Sequence, residues 1–374
     1  VLGIDINKQQ ISDYFKRLGF GFSEQADSFS VTPPTYRFDL TIEEDFIEEL
    51  ARIYGYDHIP IDFPRADMAM LSVSENRRSP IEIKKLLVAR DYQEVINYAF
   101  VDADWELDFV AGSQPITLKN PIASQMNVMR STLIGGLISN LQFNLNRKQA
   151  RVRLFEIGCC FIRNEENDCK QIDKLAGLSY GDIVFEQWGI PARSVDFFDV
   201  KADVEVLYGN QKIYFKKFSH PALHPGKSAQ IYLEDKSIGW LGELHPHWQK
   251  KYGLQKNAIL FEVDLESLLP KSLPIAREIS KFPPIRRDIA IIVDNSVSVH
   301  SLLASMHADK STIVSDISLF DIYRGKGMEA AKKSLAFRVL LQDTEKTLTD
   351  IEADLAVTSI VRNLENKFGA TLRN

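Results

Sequence analysis

The feature that most limits what this chain can fold into lies near its C-terminal end, where the hydrophobic period switches between two and about 3.6 in a fixed order. Residues 289–293 alternate as a strand, 298–307 read as a helix, 313–323 and 334–341 as strands, 349–367 as a long helix and 370–372 as a last strand. The order βαββαβ is that of the ferredoxin-like split unit. Alternation then assigns faces. Ile289, Ile291 and Val293, with Leu335, Phe337, Val339 and Leu341, point at the helices. Ala290, Asp321, Tyr323, Ser334, Ala336 and Arg338 point to the opposite, open face.

An open sheet face with one aromatic ring, small neighbours and an acid suits a single unstacked base. Tyr323 stacks, Asp321 or Ser334 reads the base edge, and Ala290 leaves room. Arg324, Lys326, Lys332 and Lys333 flank that face as phosphate contacts. The alternative is a solvated sheet face with ordinary surface charges. Charge distribution bears on the choice. The net charge is −6, yet residues 1–68 hold 6 Lys/Arg against 13 Asp/Glu, while 281–374 hold 13 against 12. A polyanion contact therefore belongs to the C-terminal end, and overall acidity argues against nonspecific nucleic-acid binding.

At the other end, residues 7–18 read as a helix with an Asn7–Gln10 capping box, an apolar stripe of Ile11, Tyr14, Phe15 and Leu18, and Gly19 as the stop. Short strands follow near 21–23 and 29–31. Residues 36–40 read as a strand feeding a helix that ends at Gly55, capped by Thr41 with Glu44 reaching back. Ile47, Leu50, Ala51 and Tyr54 form its buried stripe. Glu44 with Glu48, and Asp45 with Glu49, are like-charge pairs at i,i+4, each unfavourable by about 0.2–0.5 kcal/mol. Arg52 offsets part of this. A positive group is expected against Asp39, Asp45, Glu48 and Glu49: a hard cation such as Mg²⁺ or a basic partner, with a merely solvated face as the alternative.

The chain has 374 residues, enough for two or three domains, and its 45% hydrophobic and 26% charged content is that of a globular protein. No apolar run is long enough to span a bilayer, and no signal peptide is visible. The 3 cysteines, Cys159, Cys160 and Cys169, are odd in number and two are adjacent, which fits neither a disulfide framework nor a zinc site. A reduced, cytoplasmic setting is expected. The chain opens without Met on what reads as a strand at 1–4, as if begun inside a domain.

Between the two ends, 69–78 reads as a linker and Ser79-Pro80 opens a helix with Ile83, Leu86 and Leu87 inward. Strands are expected at 94–101, 116–118, 151–162, 175–180, 213–218, 229–234, 239–243 and 258–263. Ser131 or Thr132 caps a long helix carrying Leu133, Leu137, Ile138, Leu141 and Leu145, and another helix covers 200–208. Many antiparallel strands with a few helices give an α+β domain. His220, His224, His245 and His247 invite a metal reading. No nearby acid or Cys completes a set, and structural loops are expected there instead.

The run YRFDLTIEEDFIEELARIYGYDHIP, residues 36–60, closely resembles a signature of the beta subunit of bacterial-type phenylalanyl-tRNA synthetase. The resemblance implies a magnesium site shared with the alpha subunit, its ligands falling on Asp39, Asp45, Glu48 and Glu49. FPPIRRDIAIIVD, SLFDIY, KKSLAF, TLTD and FGATLR resemble the family's ferredoxin-fold anticodon-binding domain, whose contacts to the first anticodon base map onto Ala290, Asp321, Tyr323 and Ser334. The middle of the chain resembles the class II synthetase core. Helix 80–90 and the strand after it look like the dimer-forming first motif. Arg153-Leu154-Phe155-Glu156 looks like a second motif whose acid has slipped from two to three residues after the Arg, so that the two face opposite sides of the strand. The third motif, a Gly-rich strand ending in Glu-Arg, is missing, and 258–264 stands about where it would fall.

The resemblance spans essentially the whole chain and implies an α+β multidomain architecture. Residues 1–68 form a small winged-helix-like magnesium-site module, 69–280 an inactive catalytic-like antiparallel sheet domain, and 281–374 the ferredoxin-like anticodon reader. It further implies a heterotetramer of two alpha and two beta subunits that attaches phenylalanine to its tRNA with ATP and Mg²⁺. The alpha subunit does the chemistry and this stretch supplies scaffold, interface and anticodon reader. Without a guanidinium clamp there is no preorganised charge for an adenylate transition state, so the stretch alone is expected to be inactive. The family's beta subunit carries further N-terminal domains, the editing domain among them, that this sequence does not contain. The rival reading is a non-catalytic DNA- or RNA-binding or assembly paralogue using the winged-helix-like part.

Overall fold

The computed structural model describes residues 1–61, 63, 66–68, 74–110, 115–163, 168–271, 273–276, 278–308, 311–325, 328–329, 331–373. It divides into two compact units, Val1–Val73 and Ser74–Asn374.

The first unit opens on irregular chain rather than the strand expected at 1–4. Helix α1 (Lys8–Leu18) has the expected capping box: the Asn7 side chain accepts from the Gln10 N–H at 2.9 Å, and Gln10 accepts from the Asn7 N–H at 3.2 Å. Gly19 closes it in the left-handed region. Strands β1 (Gly21–Glu24) and β2 (Phe29–Thr32) pair as a hairpin, and α2 (Glu43–Tyr54) follows. Phe15, Phe20, Leu40 and Leu50 form the core, with Phe22, Phe29 and Phe46 packed on it. Residues 36–40 are turns, not a strand: the Arg37 N–H donates to the Pro34 carbonyl at 2.9 Å. Part of the expected linker, 69–73, lies outside the described residues. Residue 78 runs beside the far end of the second unit's large sheet, its N–H donating to the Leu269 carbonyl at 2.7 Å.

The second unit begins with α3 (Pro80–Val88), which buries Ile83 and Leu87. The strand expected over 94–101 is instead two fragments in different sheets, β3 (Gln93–Glu94) and β4 (Phe100–Val101). A short helix absent from the sequence reading, α4 (Ala103–Phe109), precedes β5 (Ile116–Thr117), β6 (Val128–Met129) and α5 (Ile134–Asn146). Then come β7 (Val152–Arg163), β8 (Cys169–Tyr180), α6 (Phe197–Tyr208), β9 (Ile213–Lys217), β10 (Leu223–Leu233), β11 (Lys236–Leu244), α7 (Pro246–Lys251) and β12 (Ala258–Asp264). The seven-stranded sheet runs β3-β7-β8-β12-β11-β10-β9, antiparallel except at the β3–β7 edge. Alternation sorts its side chains. Phe155, Leu241, Ile259 and Phe261 pack with α3 and α6, while Leu154, Leu178, Leu260 and Tyr180 pack with α4 and α5.

The C-terminal part of this unit holds β13 (Ile285–Asp294), α8 (Val299–Ala308), β14 (Val314–Tyr323), β15 (Lys332–Leu341), α9 (Asp350–Phe368) and β16 (Thr371–Leu372). Its sheet order, β14-β15-β13-β16, is fully antiparallel and is the ferredoxin order. Ile289, Ile291, Val293, Leu335, Phe337, Val339 and Leu341 lie buried against the helices as expected. One detail was hidden from alternation. Ile317 and Leu319 face the helices, so strict period two would carry Asp321 and Tyr323 underneath with them. A β-bulge at Phe320 resets the phase: Leu319 opposes Phe337, but Asp321 opposes Ala336 and Tyr323 opposes Ser334.

Candidate nucleic-acid interface and acidic helix

On the open face of the ferredoxin unit, three strands contribute to one spot. Tyr323 stands at the end of β14 and is 38% exposed. Ser334 opposes it on β15, and Asp321 opposes Ala336 one pair further along the open face. Ala290 on β13 opposes Ala336 from the other side, so two methyl groups floor the spot. Gly325 follows Tyr323 closely: a Cβ there would stand 2.8 Å from the tyrosine hydroxyl, so glycine leaves the ring its position.

A residue that the alternation did not single out completes the spot. The Arg373 N–H donates to the Ala290 carbonyl at 2.8 Å, fixing the chain end beside β13. Its guanidinium lies 5.1 Å from the Tyr323 ring centroid and donates to the Ser334 hydroxyl at 3.4 Å. Ser334 is accordingly buried, not open as expected. The only sequence signal for Arg373 was a basic residue directly after the last strand. The flanking cations divide. Arg324 is exposed, Lys332 pairs with Glu329 at 2.9 Å, and Lys326 lies outside the described residues. Lys333 is corrected: it is buried and donates to the Asn295 and Val297 carbonyls at 3.1 and 2.6 Å, which ties the β13–α8 turn and takes it away from any phosphate.

The acidic helix is organised differently from its sequence reading. Thr41 does not cap α2, and Glu44 does not reach back. Asp45 does, its Oδ2 accepting from the Thr41 and Ile42 N–H groups at 2.6 and 2.9 Å. Those two bonds hold the Asp45 carboxyl below the usual carboxylate range. Glu49 is buried, 8% exposed, and Glu48 is exposed. The positive group expected against the acids is Arg37. Its Nε donates to Asp39 at 3.0 Å, and its Nη2 donates to Asp39 at 2.7 Å and to Glu49 at 3.0 Å. Arg52 takes the other Glu49 oxygen. Arg37 holds Asp39 low, and Arg37 and then Arg52 hold Glu49 low. Among the described residues there is no group of three or more His, Cys, Asp or Glu arranged to hold a metal ion. In this arrangement Asp39 and Glu49 are engaged by the Arg37 guanidinium and one Asp45 oxygen by two backbone N–H groups, so the four acids do not converge as a ligand set for a divalent cation.

On the large sheet, polar side chains pair with one another. On the α5 side the polar side chains are turned inward onto each other. Arg130 and Glu156 form a buried pair at 2.6 Å, and Glu156 also accepts from the Asn97 side chain at 2.7 Å. Gly158 makes this possible, since a Cβ there would sit 2.1 Å from the Arg130 Nη2. Lys174 donates to Glu262 at 2.6 Å. Burial opposes charge on both, and their attraction outweighs it, with Glu262 held below and Lys174 above its ordinary value. Glu262 also accepts from the Thr132 hydroxyl and the Leu133 N–H at the start of α5, where Thr132 Oγ1 in turn accepts from the Ile134 N–H at 3.4 Å, so the expected Thr132 shares the cap with Glu262. Ser131 bonds to Glu106 instead. Arg153 turns to the opposite face and meets Asp203 of α6 at 3.3 Å, while Glu156 stays on the α5 side, as their three-residue spacing requires.

Three of the four histidines serve turns and caps. His220 accepts from the Ala222 N–H and stacks on Trp240 at 4.9 Å, and burial lowers its pKa to about 4. His224 accepts from the Gly226 N–H and His245 from the His247 N–H, at 3.0 and 3.1 Å. His247 packs edge-on against Trp248.

Fold and site together define a class: a mixed α+β protein with several sheets, whose large sheet carries its own buried ion pairs and whose C-terminal ferredoxin unit carries Tyr323 and Asp321 on its open face. Residues 280–373 match the family described as ferredoxin-fold anticodon binding domain, and 1–56 the tRNA synthetase B5 domain. Residues 59–265, more than half of the chain, match the phenylalanyl tRNA synthetase beta chain CLM domain, and the chain belongs to that family. It is 56% identical over 374 residues to a phenylalanine–tRNA ligase beta subunit of Nitrosospira multiformis, covering 100% of this chain and 47% of that protein. Proteins of the same description from Chromobacterium violaceum and Dechloromonas aromatica are each 48% identical, again over 100% of this chain and 47% and 48% of theirs. The chain thus spans about half the length of these relatives. A pyrrolysyl tRNA synthetase structure from Desulfitobacterium hafniense aligns over 71% of this chain and 87% of its own, at 15% identity and a TM-score of 0.39, and carries no argument at that level. Among the described residues no helix is long and apolar enough to cross a membrane.

Proposed function

We propose that this chain is the C-terminal part of a phenylalanine–tRNA ligase beta subunit, acting in the cytoplasm as scaffold, subunit interface and anticodon reader. The observation that carries this reading is the meeting of Ala290, Asp321, Tyr323 and Ser334 on one face of the ferredoxin sheet. The Tyr323 ring stacks the base, Asp321 accepts from its edge, and the two alanine methyls leave the space. Arg373 adds a donor at the rim. Residues 1–68 are read as a winged-helix-like module whose acidic helix, with Asp39, Asp45, Glu48 and Glu49, lies at the interface with the alpha subunit of a heterotetramer. Residues 69–280 are read as a class II synthetase-like domain, and 281–374 as the reader. ATP, and the Mg²⁺ that accompanies it, belong to the alpha subunit's reaction. The pairing of Arg130 with Glu156 and of Lys174 with Glu262 supports reading this domain as a scaffold, and no step is assigned to a metal at the acidic helix.

Filter binding of tRNA bearing the phenylalanine anticodon, a noncognate tRNA and duplex DNA tests the reading. Preference for the cognate tRNA that is lost in Tyr323→Ala supports it. Preference for duplex DNA, unchanged by that substitution, favours a DNA-binding paralogue. ATP–pyrophosphate exchange by this chain alone would remove the assignment of chemistry to the partner.

A further inference from the structure

Arg37 has a built seat. Its backbone is fixed in the turn at Pro34, and its guanidinium lies 6.0 Å from the centroid of the buried Phe20 ring. That guanidinium spans Asp39 and Glu49, two carboxylates 10 residues apart in sequence that no other cation among the described residues bridges. Glu49 is buried, so its charge requires a partner, and Arg37 is 23% exposed on its side chain. Asp45 is held away in the helix cap. A planar guanidinium bridging two carboxylates places positive charge between them, the task a divalent ion would perform with oxygen ligands.

We propose that Arg37 is the resident cation of the acidic helix, and that Arg37 and a divalent cation are mutually exclusive occupants of the Asp39–Glu49 pair. The test below uses neither RNA nor a second subunit, so its outcome is separate from that of the anticodon-reader assignment.

The probe is Mn²⁺ added to the full chain, with the free-ion electron paramagnetic resonance signal as readout. The unsubstituted chain is expected to show no binding that Asp39→Asn weakens. Arg37→Gln is expected to gain one site, at least about tenfold tighter than anything in the parent, and to lose it when Asp39→Asn is added. Arg37→Lys keeps a charge but cannot span two carboxylates, and should fall between them. It carries the test if circular dichroism shows Arg37→Gln unfolded. A parent site that Asp39→Asn weakens overturns mutual exclusion. So does failure of both Arg37 variants to gain a site, which would mean the acids do not form a cation seat even when vacated.

Discussion

Glu262 on β12 accepts a hydrogen bond at 2.8 Å from the backbone N–H of Leu133, 129 residues earlier, and so caps α5 from across the sheet. The same carboxylate pairs with Lys174. A helix terminus that would otherwise leave unsatisfied donors in the interior is closed by an ion pair that also fills the sheet face. Glu262→Gln keeps the shape but leaves the buried Lys174 ammonium without its counter-charge. It should cost about 3–5 kcal/mol in urea unfolding. A cost below about 1 kcal/mol would show that the pair is not what holds α5 to the sheet.

Tyr323→Ala should weaken cognate tRNA binding by about 1–3 kcal/mol, the worth of one stacked base. Tyr323→Phe, which keeps the ring, should stay close to the parent. Thermal melting should be nearly the same for all three, because the ring is partly exposed and lies outside the core. Equal losses for Ala and Phe would shift the role from the ring to its hydroxyl.

Arg373→Ala should reduce tRNA affinity several-fold and lower the slope of log K against log salt by about 0.7–0.9, one ionic contact. Arg373→Lys should recover the slope but not the full affinity, since the planar fork that reaches Ser334 is lost. A slope unchanged in Arg373→Ala would confine this residue to holding the chain end.

His220 gives the fold a defined acid sensitivity. Burial against Trp240 lowers its pKa from 6.5 to about 4, so the folded protein refuses a proton that the unfolded chain accepts between those values. Stability from this group is complete above pH 6.5 and falls as pH drops toward 4, by at most about 3 kcal/mol. Melting temperatures of the parent and His220→Gln should therefore converge as pH is lowered through that window. Parallel curves would place the acid sensitivity elsewhere.

Much of the fold was legible because local rules were obeyed. The Asn7–Gln10 box and Gly19 bounded α1, Ser79-Pro80 opened α3, and the order of periods in the last ninety or so residues gave the ferredoxin unit. The errors fall where a distant group supplied what a local one could have. Thr41 was a sound cap by sequence, but Asp45 holds that end, and at α5 Thr132 shares the terminus with Glu262 from across the sheet. Helix α4 escaped notice because Glu106 and Asp108 are buried, which its composition hides. They meet Ser131 and Tyr252, from outside the helix. The break at 94–101 has a similar cause, for the chain leaves one sheet at Glu94 and joins another at Phe100.

By itself the sequence determined which segments alternate and which wind, where most helices start and stop, and which residue types could face a base or a cation. Those follow from backbone sterics and side-chain period, which act over a few residues. Only the tertiary structure decided that a bulge at Phe320 turns Tyr323 outward, that Arg373 returns to cover Ser334, and that Arg37 closes the acidic helix. Each depends on which distant strand or turn lies alongside. A one-residue shift in that pairing reverses a face, and no local periodicity records it.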